Sequence, residues 1–476
     1  MAGSSDMVSG DDMAGGDDLA TPVPDMSDSL VAGSAVDTYV TDAADVTKPR
    51  DFSSTIIAAW VPANGAFVSR SGTGSTNGTF SIPAVPAGNF YLQIGTRYIL
   101  TASRMIDLST VNLGRPDVVR SMANTTATFA VTNLSPWQDG DDGLQFFSRG
   151  ANLYTYLEGA VNPPLITGDV ALSSSQSFYF GGLNLVSGSK GDILYFSQVV
   201  HSILPDGTTN VDTTKKVFVP TGFEETSGGN TDASGTLTDV AQALTYSAAW
   251  KRSQFFALVG SMGPGATSCA DSANLAAQPA FAAHGDFGNS ADLITVRPTG
   301  NSDFAIQTLA YGNPYPTGFD VVASFAMSCN VNYLPTGATS PATLFPSVSV
   351  RGLATMINGT VVPLLSPVTA VKINGVDAAT SLSGVGLTPT VTWLPPTLGS
   401  PSKIVVKIYK LTTSGTQGTA KLAATVETGI AAVASLSVPP GILEQGSSYA
   451  LLIEAATGSN SPPFATASVA TGTLTP

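Results

Sequence analysis

The residues able to do chemistry in this chain are few. There are two histidines, His201 and His284, and two cysteines, Cys269 and Cys329. A Ser-His-Asp hydrolase needs a base beside a positioned nucleophile, and no Gly-x-Ser-x-Gly elbow occurs. His201 closes the stretch DILYFSQVVHSIL and reads as a half-buried histidine at a strand end. His284 lies in AAHGDFGNSAD, where Asp286 and Asp292 could support a base or a metal; a packed loop histidine is the simpler reading. Transition-metal sites need several His or Cys ligands at defined spacing, which two of each, far apart, do not supply. Glycoside hydrolysis needs only carboxylates, but no local pattern singles out a pair, and only six glutamates occur (158, 224, 225, 427, 444 and 454). A carboxylate-based hydrolase sited in the middle of the chain therefore stays an alternative. The balance leans against an enzyme, and no residue is assigned a catalytic role.

Two patterns suit binding instead. Asp139-Gly140-Asp141-Asp142-Gly143 places carboxylates close together on a turn, as a hard cation such as Ca²⁺ requires. The rest of an EF-type loop is missing, so a solvated acidic turn competes with a calcium site. Calcium is the one cofactor left open. Trp60, Trp137, Tyr154, Tyr156, Tyr311 and Tyr315 lie near turns or on short strands. Such rings can stack on sugars, although most aromatics in β-sandwiches are core. The loop Tyr311-Gly312-Asn313-Pro314-Tyr315-Pro316, stiffened by two prolines, is the preferred binding loop, with Tyr311, Asn313, Tyr315 and Trp137 as contact residues. A packed structural corner is the competing reading. The isolated pair Cys269 and Cys329 is most simply one disulfide, as suits an extracytoplasmic chain; two buried thiols are the alternative.

Charge narrows the partners. Charged residues are 11% of the chain, against roughly 25% in an ordinary soluble domain. The net charge is −14, and residues 1–29 supply half of it through seven Asp with no Lys or Arg. No basic stripe exists to displace counterions from phosphates, which argues against nucleic acid as a partner. No apolar run is long enough for a membrane-spanning helix. Residues 1–29 carry too little apolar surface to offset the entropy of ordering and are expected to be a disordered tether. This segment resembles the acidic tethers that follow the lipidated cysteine of myxobacterial and related deltaproteobacterial surface lipoproteins of unknown function. The resemblance implies an outer-membrane or secreted location, with membrane attachment only through a lipid anchor on a cysteine this sequence does not contain.

The elements that must position these residues are strands. A length of 476 residues accommodates about three domains, and abundant Gly, Pro, Ser and Thr imply short strands and tight turns. In residues 30–103, Gly78, Phe80, Ile82, Val85, Pro86, Gly88, Phe90, Leu92 and Ile94 form an alternating hairpin. It resembles the hairpin of carboxypeptidase regulatory-like, transthyretin-related β-sandwiches, a mostly structural or adhesive family. Residues 104–125, containing LGRPDVVRS, read as a connector. Residues 126–365 read as a central β-sandwich or jelly-roll-like domain, with either a short helix or two strands near 238–252. In residues 366–476, Val391 and Trp393 share a face, and Leu443, Gly446, Tyr449, Leu451, Ile453 and Ala455 follow. That run resembles a fibronectin type III domain, which implies that Tyr449 bonds the backbone of the preceding turn.

The fold class expected is all-β, as tandem β-sandwiches behind an acidic leader. The function expected is that of a non-enzymatic surface or secreted protein, an adhesive, binding or self-assembling scaffold module. Its partners would be other surface proteins or itself; a polysaccharide-binding module is the second reading.

Overall fold

The computed structural model describes residues 29–158, 162–285, 288–428, 433–457 and 464–476. Residues 1–28 of the acidic leader 1–29, and separately Asp286, lie outside the described residues. The alternating sequence folds predominantly as strand joined by turns, and α-helix among the described residues is confined to Arg252–Phe256 and Phe281–His284. The chain is all-β, built from tandem β-sandwiches.

In the first module, Val31–Ser34 pairs antiparallel with Thr79–Ile82 and parallel with Met105–Asp107. The facing sheet runs Ala66–Ser71, Ile57–Ala63, Phe90–Ile94, Arg97–Thr101. Phe80, Ile82, Phe90 and Leu92 are buried between the two sheets with Val31, Phe52 and Ile57. Residues 104–125 do more than connect: Met105–Asp107 joins one sheet, and Val111–Leu113 pairs parallel with Val36–Val40.

The middle region is three layers deep. Gly143–Ser148 is buried at all six positions, because a sheet covered on both faces loses the alternation of a half-exposed one. Phe146 packs on Phe129, Phe178 and Phe196 on one side. Phe147 meets Tyr315 and Phe319 on the other. Residues near 238–252 form two strands, Thr238–Asp239 and Leu244–Trp250, and a helix begins only at Arg252. In the last module, Val391 and Trp393 are buried in the core, and the Tyr449 hydroxyl accepts the Glu444 backbone N–H at 3.0 Å.

The modules do not hang as separate beads. Arg97–Thr101 of the first module pairs parallel with the end of Gln417–Thr428 in the last. Phe464–Ala470 of the last module pairs antiparallel with Ser347–Leu353 of the middle. A single sheet therefore passes from the first module through the last into the middle, with Phe319–Tyr333 and Thr267–Pro279 as its longest central pair. The far end of Phe319–Tyr333 reaches over the last module, where Val331 and Tyr333 bury Leu411, Ala450 and Leu452. The Tyr333 hydroxyl donates to the Thr471 carbonyl at 2.8 Å.

The first module also touches the middle directly. The Asp42 carboxylate, 4% exposed, accepts from Arg149 Nε at 3.0 Å, Gly150 N at 2.9 Å and Ile193 N at 3.2 Å. Gly114 permits the close approach beside it. Its φ is +94°, and a Cβ there would sit 2.8 Å from that of Asn152. Removing one partner of a buried ion pair costs about 3 kcal/mol or more, because the other is left uncompensated. Asp42→Ala is expected to lose about that much. In calorimetry it should split the first module's unfolding from the middle's; one unshifted transition would refute the joint.

Candidate functional site

The structure buries the aromatic residues chosen as contacts. Tyr311 is 5% exposed, Tyr315 7% and Trp137 1%. The expectation of an exposed stacking platform is corrected: the Pro314–Pro316 corner turns Tyr315 inward, against Tyr195 at 4.8 Å between ring centroids and Phe319 at 5.1 Å. Asn313 is half-buried and caps the corner, its Oδ1 accepting the Tyr315 N–H at 3.0 Å. Trp137 packs instead in the other core layer, with Phe129 and Phe146.

The acidic turn divides its carboxylates between core and surface. Asp142 is buried, and its carboxylate accepts the N–H groups of Gln138 at 3.0 Å and His201 at 2.9 Å. Asp139 and Asp141 are exposed. Among the described residues no group of three or more His, Cys, Asp or Glu is arranged to hold a metal ion. Cys269 and Cys329 form a disulfide, which pins Thr267–Pro279 to Phe319–Tyr333 beside a register shift.

The histidines belong to separate contacts, each with an aspartate. His201 Nδ1 lies 2.8 Å from Asp212, which also meets Arg297. His284 Nε2 lies 2.8 Å from Asp45 of the first module. Asp292, near His284 in sequence, faces a different cluster. Its carboxylate accepts from Tyr154 Oη and Asn274 Nδ2, both at 2.8 Å. Burial pushes the Asp292 carboxyl up, against the pull of those two hydrogen bonds. Its main chain is held by Gln145, which donates to the Asp292 carbonyl at 2.9 Å and accepts its N–H at 3.1 Å. This network stitches four strands and supplies positional order to the layer beneath Tyr315.

A groove of about 390 Å³ opens along the seam between the first module and the middle region, lined among others by Asp37, Tyr39, Arg50, Asn112, Arg115 and Asn184. Tyr39 and Asn112 come from the parallel pair Val36–Val40 and Val111–Leu113. Arg50 holds Asp37 bidentately, with its Nε at 2.8 Å. Burial works upward on the Asp37 carboxyl, but hydrogen bonds from Arg50 and Thr110 outweigh it and keep it below the usual carboxylate range. Arg115 clasps Asp192 at 2.7 and 2.8 Å and also meets Asp117. Local sequence carries no signal for this groove, since its walls meet only through pairings distant along the chain.

No family model and no curated protein matches the chain. Among solved structures, the FN1–FN3 domains of chicken CNTN1 are similar at 10% identity, covering 76% of this chain and 99% of that one, with a TM-score of 0.15. A Ca²⁺-stabilised adhesin with which an Antarctic bacterium binds ice is similar at 10% identity, covering 93% and 99%, with a TM-score of 0.14. A tetra-tandem repeat from the extending region of a large adhesion protein is similar at 11% identity over 93% and 99%, with a TM-score of 0.12. The fold class rests on the strands and sheets themselves.

Two buried features yield measurable consequences. Glu225 is 5% exposed, and burial pushes its carboxyl up to about 7, against the pull of the Val186 N–H. The folded state thus holds a proton that the unfolded chain releases from near 4.5. Its contribution is most favourable below that pH, declines as pH rises towards 7, and is flat above. Glu225→Gln should match the native Tm near pH 4.5 and exceed it near pH 8, by up to about 3 kcal/mol in stability. A Tm difference independent of pH would refute the assignment. The disulfide closes a sequence separation of 60 residues. In the chain-entropy model its loss in Cys269→Ser/Cys329→Ser is expected to cost about 4 kcal/mol, read as a lower Tm that reductant no longer changes.

Proposed function

We propose that this chain is a non-enzymatic, extracytoplasmic surface protein that acts as a rigid adhesive or scaffold module. The observation that carries the reading is the continuous sheet through three modules. Main-chain hydrogen bonds at both joints fix the relative orientation of the sandwiches, as a scaffold requires. The disulfide supports an oxidising compartment, and no helix among the described residues is long and apolar enough to cross a membrane. The acidic leader is the proposed tether, by its resemblance to lipoprotein linkers.

Self-association is the version of this reading most open to test. Ala66–Ser71 ends the sheet and pairs on one side only among the described residues, with Ile57–Ala63. Val68 on that edge is 40% exposed. Unpaired edges are templates for another chain. Sedimentation velocity is expected to show association that grows with concentration and weakens severalfold in Val68→Lys. A strict monomer at the highest soluble concentration would sink the assembly version.

A further inference from the structure

The seam groove has a lining whose chemistry specifies a ligand class. Its three carboxamides are each held at one end by the protein. Asn112 Nδ2 donates to Thr110 Oγ1 at 3.2 Å, which leaves its Oδ1 as an acceptor. Asn184 Nδ2 donates to the carbonyls of Ala151 and Asn152, both at 3.0 Å, again leaving Oδ1. Asn152 Oδ1 accepts from Asn289 at 2.6 Å, which leaves Nδ2 as a donor. Tyr39, paired with Asn112 across the parallel strands, adds an aromatic surface to the same wall.

The charges point the same way. Arg50 is neutralised by Asp37, and Arg115 by Asp192 and Asp117. An anion entering the groove would have to compete with these intramolecular carboxylates. A neutral molecule with several hydroxyls and one apolar face would meet fixed acceptors, a fixed donor and a ring without displacing any ion pair. Groups already held in place lose little freedom on binding, which favours affinity.

We propose that this groove is a binding site for a neutral carbohydrate of short length, with Tyr39 packing on the C–H face of a sugar ring and Asn112, Asn152 and Asn184 bonding its hydroxyls. A volume of about 390 Å³ lies within the range of small-molecule sites and at a module seam, where such sites concentrate. The site does not depend on self-association, so a monomeric chain would serve it equally.

Calorimetric titration of the full chain tests the assignment, with cellotriose, maltotriose and chitotriose as neutral probes and trigalacturonate and inorganic phosphate as charged ones. At least one neutral trisaccharide is expected to bind. Its affinity should fall about tenfold or more in both Tyr39→Ala and Asn112→Ala, at unchanged Tm. Should Tyr39→Ala fail to fold, Tyr39→Leu replaces it and is expected to weaken binding likewise. The proposal is overturned if no neutral probe binds at about 10 mM. It is equally overturned if only the charged probes bind, or if neutral binding is undiminished in the variants.

Discussion

Everything above the level of a single sandwich depends on one interaction, the pairing of backbone N–H and C=O groups across module boundaries. A sheet edge carries unmet donors and acceptors that must go somewhere. Here the edge at Arg97–Thr101 is met by Gln417–Thr428, and the edge at Ser347–Leu353 by Phe464–Ala470. Side chains then lock what the backbone has aligned. Arg97 meets Glu427 across the first joint, and Ser349 meets Thr466 at 2.9 Å across the second. Because registers are fixed residue by residue, the distance between the walls of the seam groove is fixed as well.

The scarcity of charge acquires a meaning in this frame. Several of the few ionised side chains sit buried at contacts distant in sequence, with their hydrogen bonds supplied. Arg252, 2% exposed, is held by both oxygens of Asp271 and by the carbonyls of Pro298 and Thr299. Asp42 and Asp192 are satisfied in the same manner between the first module and the middle. Such groups cost free energy to bury and repay it only in one geometry. They select the packing arrangement as much as they stabilise it.

Much of the fold was legible because alternation is a local signal. Phe80, Ile82, Phe90 and Leu92 announced their shared core, and Val391 and Trp393 did so for the last module. The middle region resisted for a physical reason: Gly143–Ser148 is covered on both faces, so it gives no period to read. The same third layer explains the misreading of Tyr311 and Tyr315, whose proline-rich corner has the composition of an exposed loop but packs under another sheet. The seam groove was illegible altogether. Tyr39, Asn112 and Asn184 are ordinary strand and turn residues until pairing brings them together, and Arg115 stood in a segment read as a connector.

The joint between the first and last modules has a further consequence, one of time. Arg97 and Glu427 are 330 residues apart, and the chain emerges at roughly 5–20 residues per second. The edge at Arg97–Thr101 therefore stays without its native partner for on the order of half a minute during synthesis. Over that interval the unmet backbone donors and acceptors of that edge are open to pairing with another strand. The last module, once made, is the cap that ends this exposure.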